Sequence, residues 1–310
     1  MSNHATGLDR LYAALPTPFT AAGAFSEPCQ RRLVRFVLRQ GIDGLYVGGS
    51  TGESLMQSVE ERQEALRVVA DEAGNQAKLI GHVGAIATRD AEALARTCAE
   101  AGYDAVSAIP PIYFPHTKDA ITGYYRDILG AAGGLPLVVY NIPALSGITF
   151  TLAELGRLLT MPGVVGLKQT SGDMYQMEQL RRRFPGTLLL NGYDEVLLAG
   201  LVSGANGGIG STYNLMGRRY AAIRQAVAAN QVKQAMALQT ACNVAIDTLV
   251  AAGVFPAIKF MLHHMGVIAS PSCRAPLAPV AEDAQPGLRQ LADTLLAEIE
   301  AGVPGSRSTA

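Results

Sequence analysis

Short runs of apolar and β-branched residues alternate along this chain with longer segments whose apolar positions recur at the spacing of a helix face. The first run, residues 11–19, reads as a strand whose end is broken by Pro16-Thr17-Pro18. A helix is expected over residues 28–40, with Leu33, Phe36 and Val37 on one face and Gly41 as its stop. The strand Leu45-Tyr46-Val47 runs into a glycine-rich turn, after which Ser58-x-x-Glu61 is a capping box opening a helix to Glu72. Strands at residues 79–83, 106–110 and 137–142 alternate with helices at 88–101 and 119–129, and Thr151-x-x-Glu154 caps another helix. Residues 164–170 form the sixth strand, followed by a helix over 174–183, a strand over 188–191, a short helix over 195–202 and an eighth run at 207–211. From residue 216 to 301 the sequence is mostly alanine- and leucine-rich helix, with Pro256, Pro271, Pro276, Pro279 and Pro286 at turns or helix starts.

Eight strands that begin roughly 23 to 34 residues apart, about one βαβ unit each, predict a parallel sheet covered by helices. Eight repeats favour an α/β fold of the closed (β/α)8 TIM-barrel type with a C-terminal helical extension. An open doubly wound sheet should offer Gly-x-Gly-x-x-Gly after an early strand, and the glycine-rich turns here do not match it. No linker splits the chain, so residues 1–310 read as a single domain: a barrel over about 8–230, an extension over about 231–302, and a disordered tail at 303–310.

Composition narrows the function. A hydrophobic content of 49% supports a large core, and a net charge of −1 with both signs scattered suggests neither a nucleic-acid nor a membrane partner. No run of about 18 uninterrupted apolar residues is present, and the N-terminus lacks a secretory pattern. Cys29, Cys98, Cys242 and Cys273 lie far apart, which suits reduced thiols and a cytoplasmic location. The histidines show no ligand spacing, so no metal is expected.

The unusual polar residues fall at the C-terminal ends of the expected strands, where barrel sites are built. They are Ser50 and Thr51 after strand two, Tyr113 after strand four and Tyr140 ending strand five. Lys168 and Thr170 come from strand six, Tyr193, Asp194 and Glu195 from strand seven, and Ser211 from strand eight. Lys168 stands where the pattern asks for another apolar residue, and desolvating an ammonium is costly. On this strand alone a snorkelling or ion-paired lysine is the better reading than a reactive one. Of the five lysines, however, only Lys168 lies inside a core strand and faces that rim; Lys259, in a helical segment, reads as capping or ion pairing. A neutral lysine in an apolar barrel can attack a ketone and form a Schiff base, with Tyr140 one βα unit away as proton shuttle. Tyr140 could equally be a core tyrosine bonded to the backbone. Gly48-Gly49-Ser50-Thr51-Gly52 reads either as an ordinary βα turn or as a nest for one carboxylate, and it lacks the Gly-Lys-Ser/Thr of a P-loop.

At these residues the sequence resembles the pyruvate-dependent class I aldolase family that includes dihydrodipicolinate synthases and N-acetylneuraminate lyases. Gly48-Gly49-Ser50-Thr51-Gly52-Glu53, Tyr140-Asn141-Ile142-Pro143 and Gly166-Leu167-Lys168-Gln169-Thr170-Ser171-Gly172-Asp173 carry the resemblance. The segments 41–47, 144–147, 191–195 and 207–214 look like the lyase branch. The resemblance implies that Lys168 forms the imine, Tyr140 shuttles protons, and Ser50 and Thr51 hold the pyruvyl carboxylate. It also implies that Tyr113 supports Tyr140, often from a neighbouring subunit of a homotetramer. Thr170, Gly192, Asp194, Glu195 and Ser211 would bind the polyhydroxylated tail. Asp194 and Glu195 would also serve as N-terminal charge for a helix. Synthases of the family place an arginine shortly after Tyr-Asn-x-Pro to grip a second carboxylate. Here that place is Leu145, which favours a neutral sugar aldehyde. Ser54-Leu55-Met56 and Pro110-Pro111-Ile112 depart from the lyase pattern at the pocket wall. The expected reaction is reversible cleavage of N-acetylneuraminate to N-acetylmannosamine and pyruvate without a cofactor. The alternatives are an aldolase or dehydratase for another 2-keto-3-deoxy sugar acid, and a non-catalytic barrel that binds a keto acid.

Overall fold

The computed structural model describes residues 7–301. The expected disordered tail at 303–310 lies outside them. Eight parallel strands close into a barrel in sequence order. They are β1 (Leu11–Ala14), β2 (Gly44–Val47), β3 (Lys78–His82), β4 (Ala105–Ala108), β5 (Leu137–Asn141), β6 (Val164–Gln169), β7 (Leu188–Asn191) and β8 (Gly207–Gly210). Around them run α1 (Glu27–Leu38), α2 (Val59–Ala73), α3 (Thr88–Glu100), α4 (Lys118–Ala131), α5 (Pro143–Ser146), α6 (Leu152–Leu159), α7 (Met174–Arg183), α8 (Leu197–Val202) and α9 (Tyr213–Ala228). The extension adds α10 (Val232–Ala251), α11 (Val254–His264) and α12 (Gln285–Ala301), with a helix-free crossing between the last two.

Local chemistry explains the boundaries. Both capping boxes are formed: Ser58 with Glu61 opens α2, and Thr151 with Glu154 opens α6. The first strand is shorter than the sequence suggests, stopping at Ala14 rather than near Phe19. Pro16 and Pro18 have no N–H to give a ladder, and Phe19 instead bridges Phe25 in antiparallel fashion. The turn of helix at α5 carries no periodic signal of its own.

Tyr12, Tyr46, Ile80, Val138, Tyr140, Leu188, Leu190 and Ile209 fill the barrel interior. The tyrosines need room that glycine provides: a Cβ on Gly44 would stand 2.5 Å from the Tyr12 ring. A second, larger core lies between the strands and the helical layer. The extension belongs to that packing. Arg219 of α9 grips Glu298 of α12 with two bonds of 2.9 and 2.6 Å, and Gln239 of α10 donates to Asp194 O at 3.0 Å. Among the described residues no single helix is long and apolar enough to cross a membrane; α10 and α11 qualify only as a pair, bent by 105°.

Candidate active site

Lys168 and Tyr140 stand directly opposite each other on β6 and β5. That alignment depends on an irregularity. Leu137 pairs with Val164 but Val138 pairs with Gly166, so Val165 is an extra residue on β6. The bulge advances β6 by one position and brings Lys168, rather than Leu167, level with Tyr140. Both side chains are buried, at 5% and 3% exposure. Lys168 Nζ lies 3.9 Å from the centroid of the Tyr140 ring and 4.4 Å from that of Tyr46. Lys78, Lys118 and Lys259 each face a carboxylate, Asp104, Glu154 and Glu53 respectively. Lys168 has aromatic faces instead, which hold an amine in place without committing it to an ion pair.

Two further aromatic groups complete this floor. His82, at the end of β3, is buried between the edges of Tyr46 and Tyr140, with ring centroids 6.0 and 5.9 Å away. Its Nε2 faces the N–H of Ile109 at 3.3 Å, so its Nδ1–H donates to Gly48 O at 2.8 Å. Burial, then the charge of Arg62, drives its pKa well below the usual imidazole value, and the ring is neutral at neutral pH. The Tyr46 hydroxyl donates to Ser107 Oγ at 3.2 Å, and burial raises its phenol well above the ordinary range. The motif patterns gave no sign of His82 or Tyr46; their signal was position, at the C-terminal ends of β3 and β2.

On one side of Lys168 the chain after β2 makes two successive 3-10 turns, Ser50–Gly52 and Ser54–Met56. The amides of Gly52 and Glu53 close back on Gly49 O and Ser50 O, at 3.0 Å each. The nest expected from the glycines is therefore reduced to the turn's leading end. There the N–H groups of Ser50 and Thr51 have no carbonyl within the turn to bond. Thr51 Oγ1 is 2.6 Å from Ser211 Oγ, linking the ends of β2 and β8 over β1 at the rim. Beside Ser50 and His82 lies a cavity of about 160 Å3, walled mainly by Ile109, Ile112, Ile142 and Leu145. Leu145, 61% exposed, also lines a larger open cleft against α11, so the position that would carry a second cation in a synthase is apolar.

On the other side are the ends of β6, β7 and β8. Thr170 is buried, with its N–H bonded to Asn141 O and its hydroxyl unpartnered. Gly192 abuts it so closely that a Cβ there would stand 1.9 Å from Thr170 Oγ1. Asp194 is buried, and its Oδ2 accepts from Thr212 N–H at 2.7 Å and Thr212 Oγ1 at 2.6 Å. Burial raises its carboxyl to about 7; the Thr212 donors oppose this, and the neighbouring Glu195 adds to it. Glu195 itself is exposed, with its carbonyl held by Asn243 of α10 at 3.1 Å.

Tyr113 is placed differently. It is 87% exposed, held at φ 82°, and packs edge-on to Phe114 at 5.0 Å rather than against Tyr140 of its own chain. No group of three or more His, Cys, Asp or Glu side chains able to hold a metal occurs among the described residues.

The chemistry of this arrangement is that of a buried amine with a phenol beside it, hydroxyl and amide donors to one side, and carboxylate and hydroxyl groups to the other. The chain matches the dihydrodipicolinate synthetase family over residues 7–295. It is 51% identical over 294 residues to the N-acetylneuraminate lyase of Escherichia coli (strain SE11), covering 95% of this chain and 99% of that one. CdNal from Clostridium difficile, solved in complex with mannosamine, superposes with a TM-score of 0.90 at 32% identity, covering 94% of this chain and 100% of that one. The N-acetylneuraminate lyase of Fusobacterium nucleatum, solved with pyruvate, gives 0.88 at 33% identity, covering 94% and 98%.

Proposed function

The chain belongs to the dihydrodipicolinate synthetase family, and we propose that within it this protein is a Schiff-base lyase. Its reaction is the reversible cleavage of N-acetylneuraminate into N-acetylmannosamine and pyruvate. The observation that supports this reading is the register of β5 on β6, which sets Tyr140 beside Lys168.

Lys168 Nζ attacks the C2 ketone of the open-chain sugar acid, and loss of water gives a protonated imine. The imine withdraws electrons from the C3–C4 bond. Removal of the C4 hydroxyl proton, relayed by Tyr140, lets that bond break to give the aldehyde and an enamine. Protonation of the enamine at C3 and hydrolysis of the imine release pyruvate and restore the amine. The hydroxyls and free amides of Ser50 and Thr51 hold the carboxylate. Thr170, Asp194, Glu195 and Ser211 accept or donate to the vicinal hydroxyls, and Gly192 leaves room for the chain to lie against Thr170. A site built to pair hydroxyls rejects analogues lacking them, because its buried polar groups would be left unpaired. Leu145 offers no charge to a second carboxylate, which supports a sugar over an acidic aldehyde. The chemistry needs no cofactor beyond the covalent imine.

Exposed Tyr113, held at positive φ with Phe114 beside it, is assigned to the site of a neighbouring subunit in a homotetramer, where it supports Tyr140. The extension is read as part of the same domain as the barrel. Four free cysteines favour a reducing, cytoplasmic setting. Incubation with pyruvate and borohydride is expected to add the reduced pyruvyl group at Lys168. A folded protein that gains no adduct would overturn the Schiff-base mechanism. Pyruvate release across a panel of sugar acids then tests the substrate: faster turnover of 2-keto-3-deoxygluconate than of N-acetylneuraminate would displace the sialic-acid reading.

A further inference from the structure

The Ser50–Thr51 turn is held from behind by charged groups that take no part in the proposed chemistry. Glu53 ends that turn in the left-handed region, φ 57°, a state uncommon for a residue other than glycine. Its side chain is 0% exposed and forms an ion pair with Lys259 of α11, which is 1% exposed. Glu53 Oε2 also accepts from the Arg274 N–H at 2.7 Å, and Lys259 Nζ donates to Ser272 O at 2.9 Å. The Arg274 guanidinium returns to Glu61, the capping residue of α2, to Met56 O at 3.3 Å and to Gly23 O at 2.8 Å. Beneath the cluster lies Phe19, its ring centroid 4.1 Å from Lys259 Nζ and 4.5 Å from Arg274 Cζ. Four separate pieces of chain thus meet around the Glu53–Lys259 pair: the segments after β1 and β2, α11, and the crossing between α11 and α12, of which α11 and the crossing contact Glu53 directly.

Net stability is a poor reason for such a pair, because apolar residues of the same volume would commonly do as well. Direction is a better one. A carboxylate locked between a lysine and a backbone amide can sit in only one place, and Glu53 N–H is itself bonded to Ser50 O at 3.0 Å. A displacement of Glu53 is therefore passed directly to the residue whose amide and hydroxyl face the ligand. We propose that Glu53 and Lys259 are positioning residues for the carboxylate subsite. They set the affinity for the pyruvyl carboxylate by fixing the Ser50–Thr51 turn, without touching the ligand. This rests on the reading of Ser50 and Thr51 as the carboxylate holders.

The test uses full-length protein and the pyruvate concentration that half-saturates borohydride trapping at Lys168, a readout independent of the sugar. Glu53→Gln, Lys259→Met and the double variant are compared with the unaltered protein. In all three the half-saturating pyruvate concentration is expected to rise roughly tenfold, the worth of about one good hydrogen bond. The trapping rate at saturating pyruvate and the KM for N-acetylmannosamine should stay within about twofold. Each single variant leaves one buried charge unpaired, so Tm should fall by roughly 5–10 °C. The double variant leaves none, and should regain Tm without regaining pyruvate affinity. Variants that lose Tm while half-saturating at the unaltered concentration would make the pair purely structural and overturn the proposal, as would a double variant that recovers both properties. Absence of trapping in the unaltered protein overturns the Schiff-base reading itself, and this proposal with it.

Discussion

Replacing Asp194 by asparagine is expected to stabilise the protein above neutral pH while weakening its catalysis. Asp194 is 7% exposed, and burial raises its carboxyl from 3.8 to about 7. As pH rises from 4, the unfolded chain ionises at this residue before the folded one does. Stability that is fully present below the unfolded value is therefore lost as pH climbs through the folded value. Carried to completion above pH 7, that loss is about 4 kcal/mol, and roughly half has accrued by pH 5.5. Asparagine keeps an oxygen for the Thr212 donors and escapes the titration. The difference in unfolding free energy between variant and parent should thus widen by about 2 kcal/mol between pH 5.5 and 8.5, or about 3 °C in Tm. Thermal unfolding of both proteins at the two pH values measures it, and titrating groups not coupled to Asp194 cancel in the comparison. A Tm difference that does not change with pH would refute the reasoning. In the same variant the charged acceptor for substrate hydroxyls is gone, so kcat/KM for the sugar acid should fall by about 100-fold. Half-saturation of trapping by pyruvate should not move.

Three other substitutions probe separate parts of the site and scaffold. Gly192→Ala puts a Cβ 1.9 Å from Thr170 Oγ1 and 2.9 Å from its Cα, so a side-chain rotation alone cannot relieve the clash. The ends of β6 and β7 must part, and kcat/KM should drop about 100-fold with a stability loss of about 1–3 kcal/mol; unchanged kinetics would mean that the sugar does not lie against this contact. Tyr140→Phe keeps the ring against Lys168 Nζ but deletes the hydroxyl, so kcat should fall by about 10²–10⁴ while pyruvate still adds covalently; near-normal kcat would remove Tyr140 from proton transfer. Thr151→Ala removes the α6 cap bond to Glu154 N at 3.2 Å, far from the chemistry. It should cost about 0.5–2 kcal/mol in denaturant unfolding with no change in kcat, and a loss of activity would contradict the placement of function at the strand ends.

The features readable in sequence are those set by local chemistry and simple periodicity. The capping boxes at Ser58 and Thr151 each combine two residues at fixed spacing, so they identify helix starts without tertiary information. The eight apolar runs give the barrel because parallel strands buried on both faces have no polar alternation to confuse them. The end of the first strand is hidden in the sequence because residues 11–19 stay mostly apolar past the point where Pro16 and Pro18 can pair. The nest after β2 is narrower than its glycines suggest, because glycine content reports freedom, not use, and the amides of Gly52 and Glu53 close the turn itself. His82 was illegible as a site residue because a lone histidine at the end of an apolar run has no spacing partner. The role of Glu53 needs residues more than 200 positions away, Lys259 and Arg274, and no local pattern encodes such a pairing.

The alignment of Lys168 with Tyr140 shows why sequence spacing and site geometry are separate problems. Twenty-eight positions separate the two residues, and that interval alone predicts neighbouring strands. It does not predict that they stand level, because the register at the start of β5 is one residue shorter: Leu137 meets Val164. Had that register continued, Leu167 would face Tyr140, and Lys168 would lie one step further along β6. The bulge at Val165 absorbs the difference. It lies three residues before the lysine and at the partly buried, lower end of the strand, where a local kink disturbs neither the Tyr46 and Tyr140 rings nor the hydrogen-bonded end near Gln169. Beyond the bulge the register is held by amides on the outer face: Asn141 donates to Gln169 Oε1 at 2.8 Å, and Gln169 donates to Gln176 of α7 at 2.6 Å. These two residues each directly follow the tyrosine and the lysine, so fixing them on the helix side fixes the reactive pair on the inside. The reactive amine therefore owes its position to one inserted apolar residue below it and a pair of buried amides behind it.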